Sequence, residues 1–290
     1  MKILEIFESK GFNKSATIGI GLGGSEDQIN KILDASNKFL HNSESKIMLF
    51  TPHKIASKLT KNPLYLSLKP KLSLIESKEP ETDLLKFLHD QVIDAVIRGN
   101  LSSTKFLRNL KDIFNILEVN RLALLETFKG YQFFFGPVGI DECNDIEQKI
   151  FFIEKALKEF DVLKLEPRIS ILSGGRIGDI GRNSHVDKTI SMATEIVDFF
   201  KHKYNNIKIN HNEILIENAI NNNANLIIAP NGISGNLIYR TLVHLGGGKA
   251  YGAIYMDLNH IIIDTSRVGN ESEIYGALIM AQALKGLKSK

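Results

Sequence analysis

Two short polar segments near the end of the chain contain residue types that bind anions. The first, residues 231–236, reads Asn-Gly-Ile-Ser-Gly-Asn between an apolar run and a stretch with helical spacing. Ser234 or Asn236 can cap the start of a helix, where unpaired N–H groups and the helix dipole favour an anion. The second segment places Ser266 and Arg267 directly after another apolar run. A guanidinium beside a hydroxyl group suits phosphate or carboxylate, so the two segments predict two walls of one anion site.

A third segment, residues 173–182, is rich in glycine and carries two arginines. Glycine lets a ligand approach the backbone closely, and arginine offers donors to phosphate. The residues expected to bind an anionic ligand here are Ser173, Gly174, Gly175 and Arg176. A mobile surface loop is the alternative interpretation. The segment lacks the Gly-Lys-Ser/Thr ending of a P-loop, so nucleotide hydrolysis is not predicted.

Residues 19–24 satisfy G-x-G-x-x-G, the glycine pattern of dinucleotide-binding turns, after an apolar run and before a helical stretch. Such turns also need an acidic residue at the end of the next strand. Here the next apolar run ends at Phe50 and is followed by Thr51, Pro52 and His53. We therefore predict a glycine turn that lines the ligand cleft. A nicotinamide cofactor and a purely structural turn are the alternatives.

Composition excludes several classes of protein. The 290 residues are 43% hydrophobic and 24% charged, which is typical of a globular chain rather than a disordered or fibrous one. The net charge of +3 is too small to indicate nucleic-acid binding, and no basic run alternates with aromatic residues. The N-terminus has no signal-peptide pattern and no stretch approaches 18 apolar residues. We therefore expect a cytoplasmic protein that does not bind membranes.

The sequence offers little to a metal ion or to a reactive thiol. Cys143 is the single cysteine, which excludes an intramolecular disulfide and a cysteine metal cluster. Its acidic neighbours argue against a nucleophilic thiolate. His185 and Asp187 form a weak metal pair without a third ligand, and Asp187 suits the start of a helix better. No G-x-S-x-G elbow occurs. We expect no metal and no bound cofactor.

Apolar runs alternate with helical periodicity along most of the chain, which predicts an α/β fold with mostly parallel sheets. The runs 123–127 and 131–135 are separated by only three residues. A parallel crossover needs a longer connection, so these runs predict an antiparallel hairpin. Residues 136–144 and 255–260 are the best candidates for crossings between two lobes.

The polar segments and their surroundings resemble motifs of the phosphate acetyltransferases and phosphate butyryltransferases. The family patterns run P-N-x-x-S/A-G-N-x-x-Y-K, L-G-G-x-x-A-x-G and D-x-S-R-G-x-x-x-x-D. The positions in register are Pro230, Asn231, Gly235, Asn236, Tyr239, Leu245, Gly246, Gly247, Ala250, Gly252, Asp264, Ser266 and Arg267. Residues 95–100 and 167–173 continue the register. A narrower resemblance, carried by residues 135–142 and 173–176, is to the methyltransferase-associated family MtxX of methanogens.

The resemblance implies a fold of the isocitrate/isopropylmalate dehydrogenase type, as in phosphotransacetylases. That fold has two α/β lobes with mostly parallel sheets and a central cleft. The expected first lobe consists of residues 1–141 and 259–290, and the expected second lobe of residues 142–258.

The resemblance also implies residue roles. Ser266, Arg267 and Glu273 would be catalytic, because Glu273 stands seven positions after Ser266, where the family places its general base Asp. The glycine-rich segment would lie along a channel for coenzyme A or a related thiol, which would be a substrate rather than a bound cofactor. The full set of expected anion-binding residues is Asn231, Ser234, Gly235, Asn236, Ser173, Gly174, Gly175, Arg176 and Arg98.

Two hypotheses follow for the function. The first is a phosphotransacetylase-like transferase that binds phosphate, acyl-phosphate or a coenzyme-type anion and is linked to methyltransferases and methanogenesis. The second is a non-catalytic ligand-binding or regulatory subunit of a methyltransferase system. It is motivated by Glu273, which replaces the family's Asp, and by Val268, which replaces a glycine. The expected partners are a methyltransferase subunit and a second copy, because the C-terminal helix is apolar over much of its surface.

Overall fold

The computed structural model describes residues 2–288, which form a mixed α/β protein with mostly parallel strand pairing. The chain divides into two compact units, Met1–Val119 with Ala250–Lys290, and Asn120–Lys249. The lobe boundaries expected from the sequence, after residues 141 and 258, lie further along the chain in both cases.

The first unit contains a largely parallel set of strands. These are β1 (Thr17–Gly21), β2 (Lys46–Thr51), β3 (Leu72–Glu76), β4 (Ala95–Ile97), β10 (Lys249–Tyr255) and β11 (Ile261–Asp264). Their order is β3-β2-β1-β4-β11-β10. All neighbours run parallel except β10 and β11, which are antiparallel. The carboxyl ends of β4 and β11 therefore lie side by side, at the edge of the sheet where α/β proteins place their ligands.

The second unit contains β5 (Arg121–Glu126), β6 (Gln132–Gly136), β7 (Arg168–Ile171), β8 (Lys208–His211) and β9 (Leu226–Ile228), in the order β5-β6-β9-β7-β8. Strands β5 and β6 pair antiparallel, which confirms the predicted hairpin. Strand β6 then pairs in parallel with β9. The hairpin thus belongs to the second unit, whereas the sequence had assigned it to the first.

Helices connect these strands. They are α1 (Ile3–Gly11), α2 (Glu26–His41), α3 (His53–Leu59), α4 (Pro63–Leu68), α5 (Pro80–His89), α6 (Ser103–Phe114), α7 (Ile146–Leu163), α8 (Ser184–Lys203), α9 (Ile216–Asn221), α10 (Gly232–Arg240) and α11 (Glu271–Lys288). A 3₁₀ turn covers Ile177–Asp179, and a π-helix, Thr241–Leu245, extends α10. Asp145 caps α7 by accepting the Gln148 N–H at 2.8 Å.

Helix α11 is apolar on most sides because its own unit surrounds it. It packs against α1, α2 and the strands β4 and β11. Ile274, Leu278 and Leu284 are 4%, 0% and 0% exposed. In the sequence analysis, this apolar surface was the reason to expect a twofold dimer. That reason is wrong, because the surface is covered within the same chain.

The glycines of β1 are required for packing. A Cβ atom at Gly19 would lie 2.6 Å from side-chain atoms of both Ile93 and Leu84, and one at Gly21 would lie 2.2 Å from Leu101. Helices and loops therefore approach this strand more closely than a larger residue would permit. This part of the G-x-G-x-x-G pattern has a structural cause.

Candidate functional site

Arg98 links the carboxyl ends of β4 and β11. Its Nε donates to Asp264, one terminal nitrogen donates to the carbonyl of Thr265, and the other donates to the carbonyl of Leu101 at 2.7 Å. The residue is 5% exposed. Burial lowers the pKa of Arg98, but the charge and hydrogen bond of Asp264, with smaller contributions from Tyr255 and Glu273, together outweigh burial, and the net result is a raised pKa. The structure thus directs this guanidinium towards protein acceptors.

Ser266 and Glu273 meet where β11 leads into α11. Glu273 Oε1 accepts the Ser266 N–H at 2.9 Å, and the glutamate is 4% exposed. A Cβ atom at Gly269 would lie 2.2 Å from Glu273 Oε2. The carboxylate therefore sits directly beneath the loop of residues 266–270 and holds it in place.

Arg267 differs from the buried Arg98 in its exposure to solvent. It is exposed on the same loop, next to the half-buried Ser266. Within residues 2–288, no carboxylate lies within ion-pair distance of its guanidinium. Arg267 is thus a cation available to a dissolved anion, beside a hydroxyl group that can donate to the same anion.

The start of α10 forms the second group of expected site residues. Asn231 Oδ1 accepts the Ser234 N–H at 2.9 Å, so the cap of α10 is Asn231 and not Ser234 or Asn236 as expected. Ser234 Oγ accepts the Asn231 N–H at 3.2 Å and completes a capping box. The Gly232 N–H donates to the carbonyl of Glu142 at 3.1 Å. Two of the first three N–H groups of this helix therefore already have acceptors. The helix start offers fewer donors to an anion than the sequence predicted.

Gly235 and Asn236 pack α10 onto the loop that follows β6. Asn236 Nδ2 donates to the carbonyl of Val138 at 2.9 Å. A Cβ atom at Gly235 would lie 1.9 Å from the carbonyl oxygen of Pro137. Both residues were expected to bind an anion, and the structure gives each of them a contact within the protein.

A buried ion pair that the sequence did not reveal supports this loop. Arg121 Nε donates to Glu142 Oε1 at 2.7 Å, and Glu142 Oε2 lies 3.3 Å from the Val138 N–H. Burial raises the pKa of Glu142 in spite of Arg121. The partners are 21 residues apart, and their spacing carries no local signal.

The glycine-rich segment after β7 forms a well-anchored loop. Ser173 Oγ lies 2.9 Å from the carbonyl oxygen of Gly175 and 2.8 Å from His211 Nε2. The Gly174 N–H donates to Thr189 Oγ1 at 2.8 Å. Arg176 is exposed, whereas Arg182, the other arginine of this segment, forms an ion pair with Asp179. These bonds argue against the mobile-loop alternative, and His211 is a participant that sequence analysis missed.

The glycine turn after β1 is closed by Asn100. Its Oδ1 accepts the Gly23 N–H at 2.6 Å, and its Nδ2 donates to the carbonyl of Gly23. In a dinucleotide-binding turn this region of backbone must remain open to a pyrophosphate. The geometry favours the structural-turn interpretation over a nicotinamide site.

Asp187, which the sequence indicated for a helix start rather than for a metal ion, accepts a hydrogen bond from the loop before α8. Both carboxylate oxygens of Asp187 lie 3.1 Å from the Gly181 N–H, which closes the loop before α8. Among the residues that the structure describes, no three His, Cys, Asp or Glu side chains group as metal ligands. None of the described helices is both long and apolar enough to cross a membrane.

The expected site residues fall into two groups, one in each unit. Ser266, Arg267 and Glu273 are close together in the first unit. The α10 start and the Ser173–Arg176 segment belong to the second unit. That both groups act on one ligand, in a cleft between two lobes, stays a prediction from the sequence.

Comparison with known proteins agrees with these features. The family model described as "Phosphate acetyl/butaryl transferase" matches residues 85–282. A Methanosarcina mazei protein named "Putative methyltransferase mtx subunit X" is 35% identical over 99% of this chain and 97% of its own. A Methanosarcina barkeri protein of the same name is 41% identical over 76% of this chain and 79% of its own.

A solved structure shares the fold at low identity. The EutD phosphotransacetylase from Staphylococcus aureus aligns with a TM-score of 0.69 and 16% identity, over 97% of this chain and 98% of its own. The family match and the two named relatives lead to one conclusion. The chain belongs to the phosphate acetyl/butaryl transferase family, together with its relatives named mtx subunit X.

Proposed function

We propose that the protein is a phosphotransacetylase-like transferase whose Ser266 and Arg267 bind a phosphate or acyl-phosphate group. The observation that carries the proposal is the exposed Arg267, without an ion-pair partner in residues 2–288, beside a serine whose loop is held by Glu273. Arg267 and the Ser266 hydroxyl would stabilise negative charge that develops on the phosphate oxygens. Arg98, buried against Asp264, would orient this loop rather than contact the anion.

In the proposed reaction a thiol, such as that of coenzyme A, attacks the acyl carbon of an acyl-phosphate. A carbon–sulfur bond forms, the carbon–oxygen bond to phosphate breaks, and phosphate leaves. Glu273 would take the thiol proton, as a general base within reach of the Ser266–Arg267 loop. Arg176 of the second unit would contact the anionic part of the coenzyme. The methyl-transfer setting, linked to methanogenesis, comes from the names of the relatives alone.

Phosphate binding tests the site directly. Calorimetry with inorganic phosphate should show binding to the wild-type protein that is about 10- to 150-fold weaker in Arg267→Ala, the scale of a hydrogen bond to a charged group. Lys61→Ala removes one positive charge from an exposed position of the same unit and serves as the control. Equal phosphate affinity in the wild-type protein and Arg267→Ala would refute the site.

A second candidate function is a non-catalytic ligand-binding subunit of a methyltransferase system. The observation that favours it is the buried position of Glu273, whose carboxylate accepts the Ser266 N–H and packs against Gly269. A carboxylate in this position can anchor the loop of residues 266–270 without taking part in catalysis. Phosphate binding without any transfer from acetyl phosphate to coenzyme A would favour this alternative.

A homodimer and a cytoplasmic location also remain proposals. Since α11 is covered within its own unit, we place the twofold contact on α10, where Ile233 and Leu237 are both 61% exposed. The two side chains lie one helical turn apart and form an apolar stripe. Sedimentation at micromolar concentration tests the assembly.

A further inference from the structure

The hydroxyl of Ser173 lies between two polar atoms, and elementary chemistry fixes where its proton goes. The carbonyl oxygen of Gly175, at 2.9 Å, can only accept, so Ser173 donates to it. His211 Nε2, at 2.8 Å, must then carry a proton and donate to Ser173 Oγ. Ser173 is 1% exposed, so water does not compete for these bonds.

These hydrogen bonds form a relay that starts at His211, passes through Ser173 and continues through the peptide group between Gly175 and Arg176. The carbonyl of Gly175 and the N–H of Arg176 belong to the same planar unit. The Arg176 N–H donates to Asp179 Oδ2 at 2.9 Å. Both polar atoms of this peptide are therefore bonded, one through Ser173 to His211 and the other to a carboxylate. The orientation of the peptide plane in turn sets the direction in which the Arg176 side chain leaves the backbone.

Asp179 is the acidic end of the relay. The Arg176 N–H and then the Arg182 guanidinium lower the pKa of Asp179, which keeps it ionised. Arg182 Nη1 lies 2.5 Å from Asp179 Oδ1. Arg182 is thus paired, and Arg176 is the exposed arginine of the loop without such a pair in the described part of the chain.

We propose that His211 is a positioning residue that directs Arg176 towards an anionic, phosphate-bearing ligand by way of Ser173 and Gly175. The proposal rests on the proposed function, which supplies the ligand for Arg176. His211 lies at the carboxyl end of β8 and Ser173 lies two residues after the end of β7, so the parallel pairing of these strands brings the two residues together. Burial lowers the pKa of His211, with Glu213 acting in the opposite direction, and the net shift favours the neutral imidazole. A neutral imidazole has one ring proton, and the relay places it on Nε2.

The test measures coenzyme A binding by calorimetry in a double-mutant cycle. His211→Leu should weaken binding about tenfold, the scale of one lost hydrogen bond. His211→Gln keeps an N–H donor near the position of Nε2 and should bind within about twofold of the wild-type protein. In an Arg176→Ala background, His211→Leu should have no further effect, since its influence passes through Arg176. Nitrogen NMR of the imidazole should show the Nε2–H tautomer.

The outcomes separate this inference from the proposed function. If the wild-type protein binds coenzyme A and His211→Leu is equally damaging with and without Arg176, His211 acts on the fold and the inference is wrong. An Nδ1–H tautomer, or unchanged binding in His211→Leu, also overturns it. If the wild-type protein binds neither phosphate nor coenzyme A, the proposed function fails, and the role of His211 fails with it.

Discussion

Replacing Glu273 separates its two proposed roles, because the side chain is both an anchor and the candidate base. In Glu273→Gln the amide oxygen can still accept the Ser266 N–H, which lies 2.9 Å from Oε1 in the native protein. The bond changes from charge-assisted to neutral, which costs about 1 kcal/mol of stability. The side chain loses its ability to take a proton, so transfer from acetyl phosphate to coenzyme A should fall about 100-fold or more. Phosphate affinity should stay near that of the wild-type protein.

Glu273→Asp gives the complementary perturbation. The carboxylate becomes shorter by one carbon–carbon bond, about 1.5 Å, which takes its oxygen to about 4.4 Å from the Ser266 nitrogen, beyond hydrogen-bond distance. This variant restores the residue type of the family pattern, yet it should lose the loop anchor and weaken phosphate binding.

Coupled spectrophotometric assays of acetyl-CoA formation, with calorimetry of phosphate binding, check both variants. Glu271→Gln, at an exposed position in the first turn of the same helix, is the matched control. Undiminished transfer in Glu273→Gln would refute the role of this residue as a base. A wild-type protein without any transfer, but with phosphate binding, would replace the transferase by the ligand-binding subunit.

Three further predictions concern stability and assembly. Lys149 is 3% exposed, and burial lowers its pKa from 10.5 to about 8. Between pH 8 and 10.5 the unfolded chain therefore binds more protons than the folded chain. The free energy of unfolding should rise by about 3 kcal/mol across that window. Urea unfolding of Lys149→Met should lack this rise. Gly235→Ala should cost at least about 2 kcal/mol, because its Cβ would lie 1.9 Å from the carbonyl oxygen of Pro137. Gly178→Ala, which meets nothing within 4 Å, should stay within about 0.5 kcal/mol of the wild-type value. Leu237→Glu should convert the proposed dimer to a monomer by sedimentation, since it would bury a charge in an apolar contact; an unchanged dimer would exclude the α10 face.

Features that depend on local spacing were predictable from the sequence. Alternating apolar runs and helical stretches gave the α/β class, and the three-residue separation gave the β5–β6 hairpin. The cap of α10 and the contact of Ser266 with Glu273 also join residues of short separation, but the sequence pointed to Ser234 or Asn236 as the cap, and the structure uses Asn231. Strands β3 and β8 were not predicted, because each lies at the end of its unit's strand order and carries a mixed burial pattern. Apolar periodicity is weak in such strands.

The long-range partners of polar groups were decided only by the tertiary structure. Arg98 and Arg267 have the same side chain, but the partner of Arg98 is Asp264, 166 residues away, while Arg267 lies exposed. Ser173 and His211 are 38 residues apart and meet because their strands pair. A residue type states which hydrogen bonds a side chain can make. Whether a protein group or a ligand makes them depends on which strand ends the fold brings together, and no local pattern encodes that.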